Sequence, residues 1–487
     1  MPGIVPKRGI WINGQERAGA SGKVLDVVNP YNGLTLATVS MASRKDSDEA
    51  VASASATFKN VMRNMPAYER AQILRRAAQE IRNGSKELIE IVVGEAGKPI
   101  RDATREIGRA STLLELAADY TMVQQGQVIP MDIVESGVNR TGIANRVPVG
   151  VIVAIAPSNS PVNLTVNKIG PAFAAGNTVV LKPSDQTPIS ALWLAAAFKR
   201  AGLPDGAFNV IIGEVEEAIE PLVRDPRVRM ISITGGVPAG LAVLKAAGIK
   251  KVVLELGSSA ANVVRADADI SAAARSLATS AYLSSGQACI SAQRLFVHSS
   301  IEKEFTKEFI TATEAMKIGD PMDPAVEIGP MVSQVQVQRV LGWIQEAVAA
   351  GARVLTGGVA EARTIRPTLL ADVPDNVTLA HSEAFSPIAV LQTFTEDDDV
   401  IERVNSSVFG LQAGVFTNDL RAAFRFGRDI DAGAIWINDS SRYRQDNYPF
   451  GGMKMSGVGR EGVQYAIEEM TEWKFLGLKL GPSAGIL

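Results

Sequence analysis

The chain of 487 residues is long enough for two or three domains, and its 46% hydrophobic and 21% charged residues are typical of a globular protein with a large core. These values exclude disordered, collagen-like and disulfide-scaffold chains. The net charge of −3, without a basic run, makes nucleic acid an unexpected partner. Apolar stretches are shorter than the ~18 residues of a membrane span, and the N-terminus lacks a signal-peptide pattern. We therefore expect a cytoplasmic protein without a membrane anchor.

Residues 45–125 have apolar side chains at three- and four-residue steps, which predicts a series of helices with breaks near Gly94 and Gly97. From residue 150 the pattern changes to short apolar runs, such as 150–157 and 251–257, separated by helical segments such as 188–204. This alternation is typical of parallel βαβ units.

A second strand–helix alternation begins near residue 258, so two consecutive α/β units with open parallel sheets fit better than one. We assign 1–131 and 150–257 to the first unit and 258–466 to the second. The segments 132–149 and 467–487 are predicted to form a small β-arm, as a hairpin and a single strand. These two segments could pair with each other or with the edge of another subunit.

The single cysteine, Cys289, excludes an internal disulfide and suits a reducing compartment. Because His298 and His381 are the only histidines, we expect no metal site. Cys289 lies between a helical segment and a strand. It is either a small buried core residue or a nucleophile, and a nucleophile needs a base or a positive charge nearby.

Glu255 lies inside the apolar segment KKVVLELGSS, where a carboxylate is costly unless it has a partner or a task. At the carboxyl end of a strand it would face the ligand crevice of an open sheet, where burial raises a carboxyl pKa towards that of a general base. The alternative is a structural pair with a lysine.

Two further segments follow predicted strands. Gly235 and Gly236 would let backbone N–H groups approach a phosphate at a helix N-terminus, although a tight turn is the commoner explanation. The G-x-G-x-x-G fingerprint is absent from this segment. Lys182 and Asp185 stand where a ribose could meet both, or in a solvated loop.

Seven segments, in consistent order over most of the chain, resemble motifs of the aldehyde dehydrogenase superfamily. They are APSNSP (156–161), NKIGPAFAAGNTVVLKPSDQTP (167–188), ITGG (233–236), LELGSS (254–259), SGQACISAQR (285–294), SEAFSP (382–387) and YPFGGMKMSGVGREG (448–462). Three departures from the family pattern change contacts on the cofactor side: Gly236 where a serine is usual, Ser258 after Gly257, and Ser386 before Pro387.

The resemblance implies an NAD-binding first unit, a catalytic second unit, and an arm that mediates a homodimer or homotetramer. It implies Cys289 as nucleophile, Glu255 as general base, Asn159 as oxyanion donor and Lys168 as a residue that holds the site together. It places the cofactor against Lys182, Ser184, Asp185, Gly235, Gly236, Glu383 and Phe385. The carboxylate of Asp185 near the ribose favours NAD, with NADP possible.

The resemblance also bears on the substrate, an aldehyde. Ser160 and Asn167 stand where relatives carry aromatic side chains, which predicts a more open and polar tunnel. Arg442 and Arg444, with Tyr443 and Phe450 alongside, could form a fork for an anionic tail. Alternatively these arginines are solvated or pair with nearby aspartates. A short polar or anionic aldehyde is therefore predicted, the alternatives being an aromatic aldehyde or acyl transfer to coenzyme A.

Overall fold

The computed structural model describes residues 5–480. Residues 1–4 of the predicted first unit and 481–487 of the predicted arm lie outside the described residues. The strands, in chain order, are β1 (Lys7–Arg8), β2 (Ile10–Ile12), β3 (Gln15–Arg17), β4 (Val24–Val28), β5 (Thr35–Ser40), β6 (Gln127–Pro130), β7 (Arg140–Pro148), β8 (Val151–Ile155), β9 (Thr178–Lys182), β10 (Phe208–Val210), β11 (Val228–Thr234), β12 (Lys251–Glu255), β13 (Ala260–Val264), β14 (Ala292–His298), β15 (Arg353–Thr356), β16 (Ala360–Glu361), β17 (Thr364–Ile365), β18 (Thr368–Ala371), β19 (Ile388–Phe394), β20 (Phe409–Gly410), β21 (Gln412–Phe416), β22 (Ala434–Ile437), β23 (Met453–Lys454), β24 (Gly457–Val458) and β25 (Thr471–Lys479).

The helices, in the same order, are α1 (Arg44–Asn60), α2 (Ala67–Asn83), α3 (Ser85–Ala96), α4 (Ile100–Val123), α5 (Asn163–Ala175), α6 (Pro188–Arg200), α7 (Glu220–Arg224), α8 (Val237–Ala247), α9 (Ile270–Tyr282), α10 (Glu302–Glu314), α11 (Gln334–Ala349), α12 (Thr378–His381), α13 (Asp397–Asn405), α14 (Leu420–Asp429) and α15 (Val463–Glu469). The helical series predicted for 45–125 is confirmed as α1 to α4. Local sequence sets their ends: a capping box of Ser43 and Asp46 begins α1, and Gly97, at φ 67°, ends α3.

The first sheet has eight strands in the order β24-β12-β11-β8-β9-β10-β2-β3. Its five central strands are parallel, and antiparallel strands close both edges. The parallel strands end side by side, because Ile155 pairs with Lys182 and Thr234 pairs with Glu255. The carboxyl edge of this sheet therefore brings the predicted ribose, phosphate and general-base segments together.

The second sheet has seven strands in the order β15-β18-β19-β14-β13-β21-β22, parallel except for β15 at one edge. Separate apolar clusters pack on it, whereas one continuous core fills the first unit. The predicted fold class, two consecutive open parallel sheets in an α/β protein, is confirmed. Among residues 5–480, no helix is both long enough and apolar enough to cross a membrane.

The arm is a three-stranded antiparallel sheet in the order β25-β7-β6. The strand β25 pairs with β7 along its whole length, so the two predicted arm segments pair with each other within one chain. The hairpin begins at Gln127, earlier than the predicted start at 132, because β6 precedes the turn-rich stretch 131–139.

The chain returns to the first unit before the predicted boundary at 466. The strand β24 pairs with β12, and Val463, Ile467 and Met470 join the core of the first unit. The stretch 457–466 therefore lies with the first sheet and not with the second. This return brings Glu461 beneath the carboxyl edge of the first sheet.

Candidate active site

Cys289 lies in the loop between α9 and β14, as the sequence predicts. Before it, Ser284, Ser285 and Gly286 take left-handed backbone conformations with φ of 52°, 57° and 65°. Such conformations cost non-glycine residues about 1–3 kcal/mol each, so the surroundings must hold them. The Ser284 hydroxyl donates to the Asp102 carboxylate over 2.8 Å, and the Ser285 hydroxyl donates to a carbonyl in the loop before α11 over 2.8 Å. The nucleophile loop is thus fixed by contacts with other elements.

The Cys289 side chain is partly buried against an apolar wall that includes Leu411 and Phe450. Burial, assisted by the negative charge of Glu383, raises the pKa of the Cys289 thiol to about 12, while Arg444 acts in the opposite direction. At neutral pH the thiol therefore keeps its proton in this environment. A base or added positive charge is needed to make it a nucleophile.

Asn159 follows β8 and reaches the nucleophile loop. Its amide nitrogen donates to the carbonyl of Gln287 over 2.8 Å, two residues before Cys289. Its side-chain oxygen is buried and has no hydrogen-bond partner among residues 5–480. The structure brings this amide to the loop of Cys289, and amide N–H groups are donors that can stabilise an oxyanion.

Glu255 ends β12 and is 3% exposed. Both carboxylate oxygens lack a hydrogen-bond partner within the described part of the chain. Burial, and then the nearby Glu461, raise the pKa of Glu255 well above its usual value, against the opposing charges of Arg444 and Lys168. A buried carboxylate without donors is costly, and a raised pKa suits a group that takes up and releases protons.

Lys168 is fully buried on α5, and its ammonium pairs with Glu461 at 2.9 Å. The second oxygen of Glu461 pairs with Arg444 at 2.7 Å, and the Arg444 guanidinium stacks 3.6 Å above the Phe450 ring. Burial alone would raise the pKa of Glu461, but Lys168 and Arg444 outweigh it and hold that pKa low. Glu461 is a site residue that sequence reasoning missed; its only signal was its place as the second-to-last residue of the last family-like motif.

The predicted fork of Arg442 and Arg444 does not form as a pair of free guanidinium groups. Arg444 contacts Glu461, whereas Arg442 donates to the Ser291 hydroxyl over 2.8 Å and forms no ion pair within residues 5–480. The Nε of Arg444 is buried without a partner among these residues. Tyr443 packs against Trp436, with ring centroids 4.6 Å apart, and lies at the surface. Of the two arginines, Arg442 is therefore the one whose positive charge is not neutralised by an acidic side chain in the described chain.

Ser160 and Asn167 are both held by neighbours. The Ser160 hydroxyl accepts from the Lys98 ammonium over 3.0 Å, and Lys98 pairs with the buried Glu106. Asn167 donates to the Asn163 carbonyl over 2.9 Å. The side-chain oxygen of Asn163 is buried and has no partner in the described chain. This region is polar, as predicted, and the Lys98–Glu106 pair was not found from the sequence.

On the other side of Cys289, Lys182 ends β9 and pairs with Asp185 at 2.9 Å. The Ser184 hydroxyl contacts the side chain of Gln186 over 3.1 Å. Asp185 is about half exposed, with 47% of its side chain accessible, and its charge is partly neutralised by Lys182. The Lys182–Asp185 pair therefore places two charged side chains at the carboxyl edge of the first sheet.

Gly235 and Gly236 lead into α8, with Gly236 as its N-cap. Neither residue has a positive φ, and a Cβ added to either would come no nearer than 3.7 Å to another residue. Crowding therefore does not require glycine here. The open space in front of a helix N-terminus suits the close approach of a phosphate. The Thr234 hydroxyl beside it is buried without a partner in residues 5–480.

Glu383 lies against Gly257, just after β12. Its carboxylate accepts from the backbone N–H of Ser258 over 3.0 Å, and burial raises its pKa to about 7. Phe385 has φ 49°, a left-handed conformation that a phenylalanine rarely adopts. A Cβ at Gly286 would lie 2.1 Å from the Ser386 carbonyl, so this segment contacts the nucleophile loop directly.

The arrangement defines a cysteine site with a buried carboxylate between two α/β units, and comparison with known proteins gives its class. The model of the aldehyde dehydrogenase family matches residues 17–476. The chain belongs to the aldehyde dehydrogenase family, and the resemblance drawn from its motifs is confirmed. It is an oxidoreductase that acts on aldehydes.

The chain is 40% identical to 3-sulfolactaldehyde dehydrogenase of Priestia aryabhattai over 98% of this chain and 99% of that protein. It is 36% identical to lactaldehyde dehydrogenase of Methanocaldococcus jannaschii over 96% of this chain and 98% of that protein. Among solved structures, an NADP-dependent enzyme from E. coli is 36% identical with a TM-score of 0.94, covering 97% of this chain and 98% of the other.

Proposed function

We propose that this protein oxidises a short aldehyde with a polar or anionic tail to its carboxylic acid, with NAD as hydride acceptor and Cys289 as nucleophile. The observation that carries the proposal is the convergence of three groups in one place. Asn159 contacts the loop of Cys289 over 2.8 Å, and the carboxylate of Glu255 is unpartnered in residues 5–480 and contributes to the electrostatics of the Cys289 thiol.

The first step joins the Cys289 sulfur to the aldehyde carbon. Because burial keeps the thiol protonated, a base must remove its proton, and Glu255 has a raised pKa and no competing hydrogen bond. The carbonyl oxygen becomes an oxyanion, which the Asn159 amide and the Cys289 backbone N–H can stabilise. One such donor is worth about 3–4 kcal/mol.

A nicotinamide dinucleotide fits the residues on the other side. The open helix N-terminus at Gly235 and Gly236, the unpartnered Thr234 hydroxyl and the Lys182–Asp185 pair offer phosphate and ribose contacts. When bound, the cofactor supplies a hydride acceptor. Loss of the hydride from the carbon leaves a thioester on Cys289.

Hydrolysis completes the reaction. Glu255, once ionised, takes a proton from water, the water oxygen adds to the thioester carbon, and the Cys289 sulfur leaves with release of the acid. An intact and buried Glu255 supports water as the acceptor instead of coenzyme A.

The tail preference is supported by charge. Arg442 lacks an ion-pair partner in the described chain, and Ser160, Asn163 and Asn167 supply polar side chains after the strand β8. A relative with 40% identity is named for a sulfonated aldehyde and another for lactaldehyde. Both names agree with a short polar substrate, and the first agrees with an anionic one.

NAD is proposed over NADP because the Asp185 carboxylate would repel a 2′-phosphate. Its pair with Lys182 weakens this repulsion, so the preference is expected to be moderate. The similar E. coli enzyme is NADP-dependent.

We also propose that the units have the roles implied by the resemblance, NAD binding for the first and catalysis for the second. The arm is proposed to join two or four copies, because β25 is an edge strand with Trp473, Phe475 and Leu476 exposed. A monomeric mass in solution would contradict this assembly.

The test is reduction of NAD and NADP by the purified protein with lactaldehyde, glycolaldehyde, succinate semialdehyde, phosphonoacetaldehyde, 3-sulfolactaldehyde and benzaldehyde. We expect turnover with the short polar members, faster with anionic ones, and loss of turnover but not of NAD binding in Cys289→Ala. Preference for benzaldehyde would overturn the substrate proposal. Full activity of Cys289→Ala would overturn the mechanism.

A further inference from the structure

Arg444 was expected from the sequence to bind the substrate tail, but its surroundings indicate another task. One edge of the guanidinium contacts Glu461 at 2.7 Å, one face lies 3.6 Å from the Phe450 ring, and its side chain is only 8% exposed. An anionic tail would have to displace or crowd Glu461, which is itself buried. Breaking a buried ion pair is costly because it leaves a charge without compensation.

The same contacts link Arg444 to the nucleophile. Phe450, on which it stacks, belongs to the apolar wall that packs against Cys289. Glu461, which it holds, also holds Lys168 on the helix that follows the Asn159 loop. The Arg444 side chain therefore contacts both Phe450, which packs against Cys289, and Glu461, whose charge acts on Glu255.

The charges around Cys289 show why the position of Arg444 matters for the thiol. The titratable and charged groups that act on the thiol or sense it are Glu383, Arg444, Glu255, Glu461, Arg442 and Tyr448. Among them, three are acids that oppose a thiolate, and Arg444 and Arg442 are cations that favour it; of the two cations, Arg444 is the one that lowers the pKa of the thiol most. An opposite charge within a few ångströms lowers a thiol pKa.

We propose that Arg444 is a positioning residue of the reaction: it fixes Glu461 and the Phe450 wall and supplies positive charge beside Cys289, while the tail of the aldehyde is bound elsewhere. The inference rests on the proposed function only in taking Cys289 as the nucleophile. Two features would favour a bound ligand: the buried Nε of Arg444 has no partner in residues 5–480, and the guanidinium donates over 3.4 Å to the side-chain oxygen of Asn167, a predicted substrate residue. The experiment separates these two roles.

The first measurement is the rate of iodoacetamide alkylation of Cys289 against pH, in the protein without aldehyde or added cofactor. Arg444→Met is expected to lower this rate by about tenfold at each pH below the thiol pKa, because removal of a nearby positive charge reduces the fraction of thiolate, and Arg444→Lys is expected to restore most of the wild-type rate. Arg17→Met is the matched control, because Arg17 also pairs with a buried acid, Asp46, at 2.9 Å, but lies on the edge strand β3 and is not among the charges acting on Cys289. Its alkylation profile should not change.

The second measurement compares 3-sulfolactaldehyde with lactaldehyde, which differ by the sulfonate. A positioning role lowers kcat for both aldehydes alike in Arg444→Met and Arg444→Lys. A tail-binding role would instead leave the alkylation profile unchanged and raise KM for the sulfonated aldehyde alone, which would overturn the inference.

Two controls keep these outcomes separate. If Arg444→Met does not fold, Arg444→Lys still decides, because selective loss of the sulfonated substrate would contradict a positioning role. If no aldehyde is oxidised, the proposed function fails while the alkylation result still stands for Arg444.

Discussion

The two sides of Cys289 are built differently. On the side proposed for the cofactor, Gly235 and Gly236 leave open space, and Asp185 is half exposed. On the side proposed for the substrate, Lys168, Glu461 and Arg444 are buried and their charges are paired. The first side suits the approach of a charged ligand to the backbone, and the second keeps its own charges in place. Substitutions on the cofactor side should therefore change binding, whereas those on the substrate side should change catalysis or stability.

The largest effect is expected for Glu255→Gln, which removes the proposed general base. The turnover rate should fall by about 10²–10⁴-fold, the usual contribution of such a group. In the wild type the deacylation rate should rise with pH as Glu255 ionises, through a pKa raised above its usual value, and this rise should be lost in the variant. Stopped-flow and steady-state rates against pH measure both. An unchanged pH profile would assign the base to another group.

Glu461→Gln tests whether the substrate side depends on paired charges. Lys168 and Arg444 would lose their common partner, and such a loss costs about 3–5 kcal/mol of unfolding free energy. Because the pKa of Glu461 is lowered in the folded state, its contribution is present at neutral pH and is lost as pH falls below about 4.5, the ordinary value for glutamate. Urea unfolding at several pH values measures this. The control is Glu468→Gln, which changes an exposed acid in α15 and should alter the free energy of unfolding by less than about 0.5 kcal/mol.

Gly235→Val tests the cofactor side. The backbone at Gly235 allows a side chain, and an added Cβ meets nothing closer than 3.8 Å, so the melting temperature should be nearly unchanged. The side chain would fill the space in front of α8, and KM for NAD should rise by about tenfold or more, equivalent to about 1.4 kcal/mol. Gly427→Ala on α14, where a Cβ also has room, is the control. A normal KM in Gly235→Val would mean that the phosphates bind elsewhere.

The smallest effect is expected for Asp185→Asn. Exposed charges contribute only about 0.2–1 kcal/mol, so the ratio of NADP to NAD use should rise by about fivefold at most. Because Lys182 would lose its partner, much of the gain should come from its attraction to the 2′-phosphate. Initial rates with each cofactor at low and high salt measure it, since salt should reduce the change. A ratio that stays constant would remove Asp185 from cofactor choice.

Some of these features could be predicted from the sequence, and others could not. The parallel strands, the helices and the places of Cys289, Glu255 and Asn159 follow from apolar periodicity and motif order. The pairing of Arg444 with Glu461 does not, because the two residues meet only through the return of 457–470 to the first sheet. From the sequence alone, residues 457–466 are assigned to the second unit. The edge strand β24 has only two residues, which is too short to show a periodic pattern in the sequence. Long-range ion pairs depend on such returns.

Because of the left-handed segment before Cys289, we expect the reactivity of the Cys289 thiol to depend on contact between the two units. Asp102, which holds Ser284, comes from α4, and Asn159 holds the same loop through Gln287. Both anchors belong to the first unit, while the loop belongs to the second. Slight separation of the units would release the strained backbone before either sheet melts. In rising urea, reactivity of the thiol should therefore change at a lower concentration than far-UV circular dichroism.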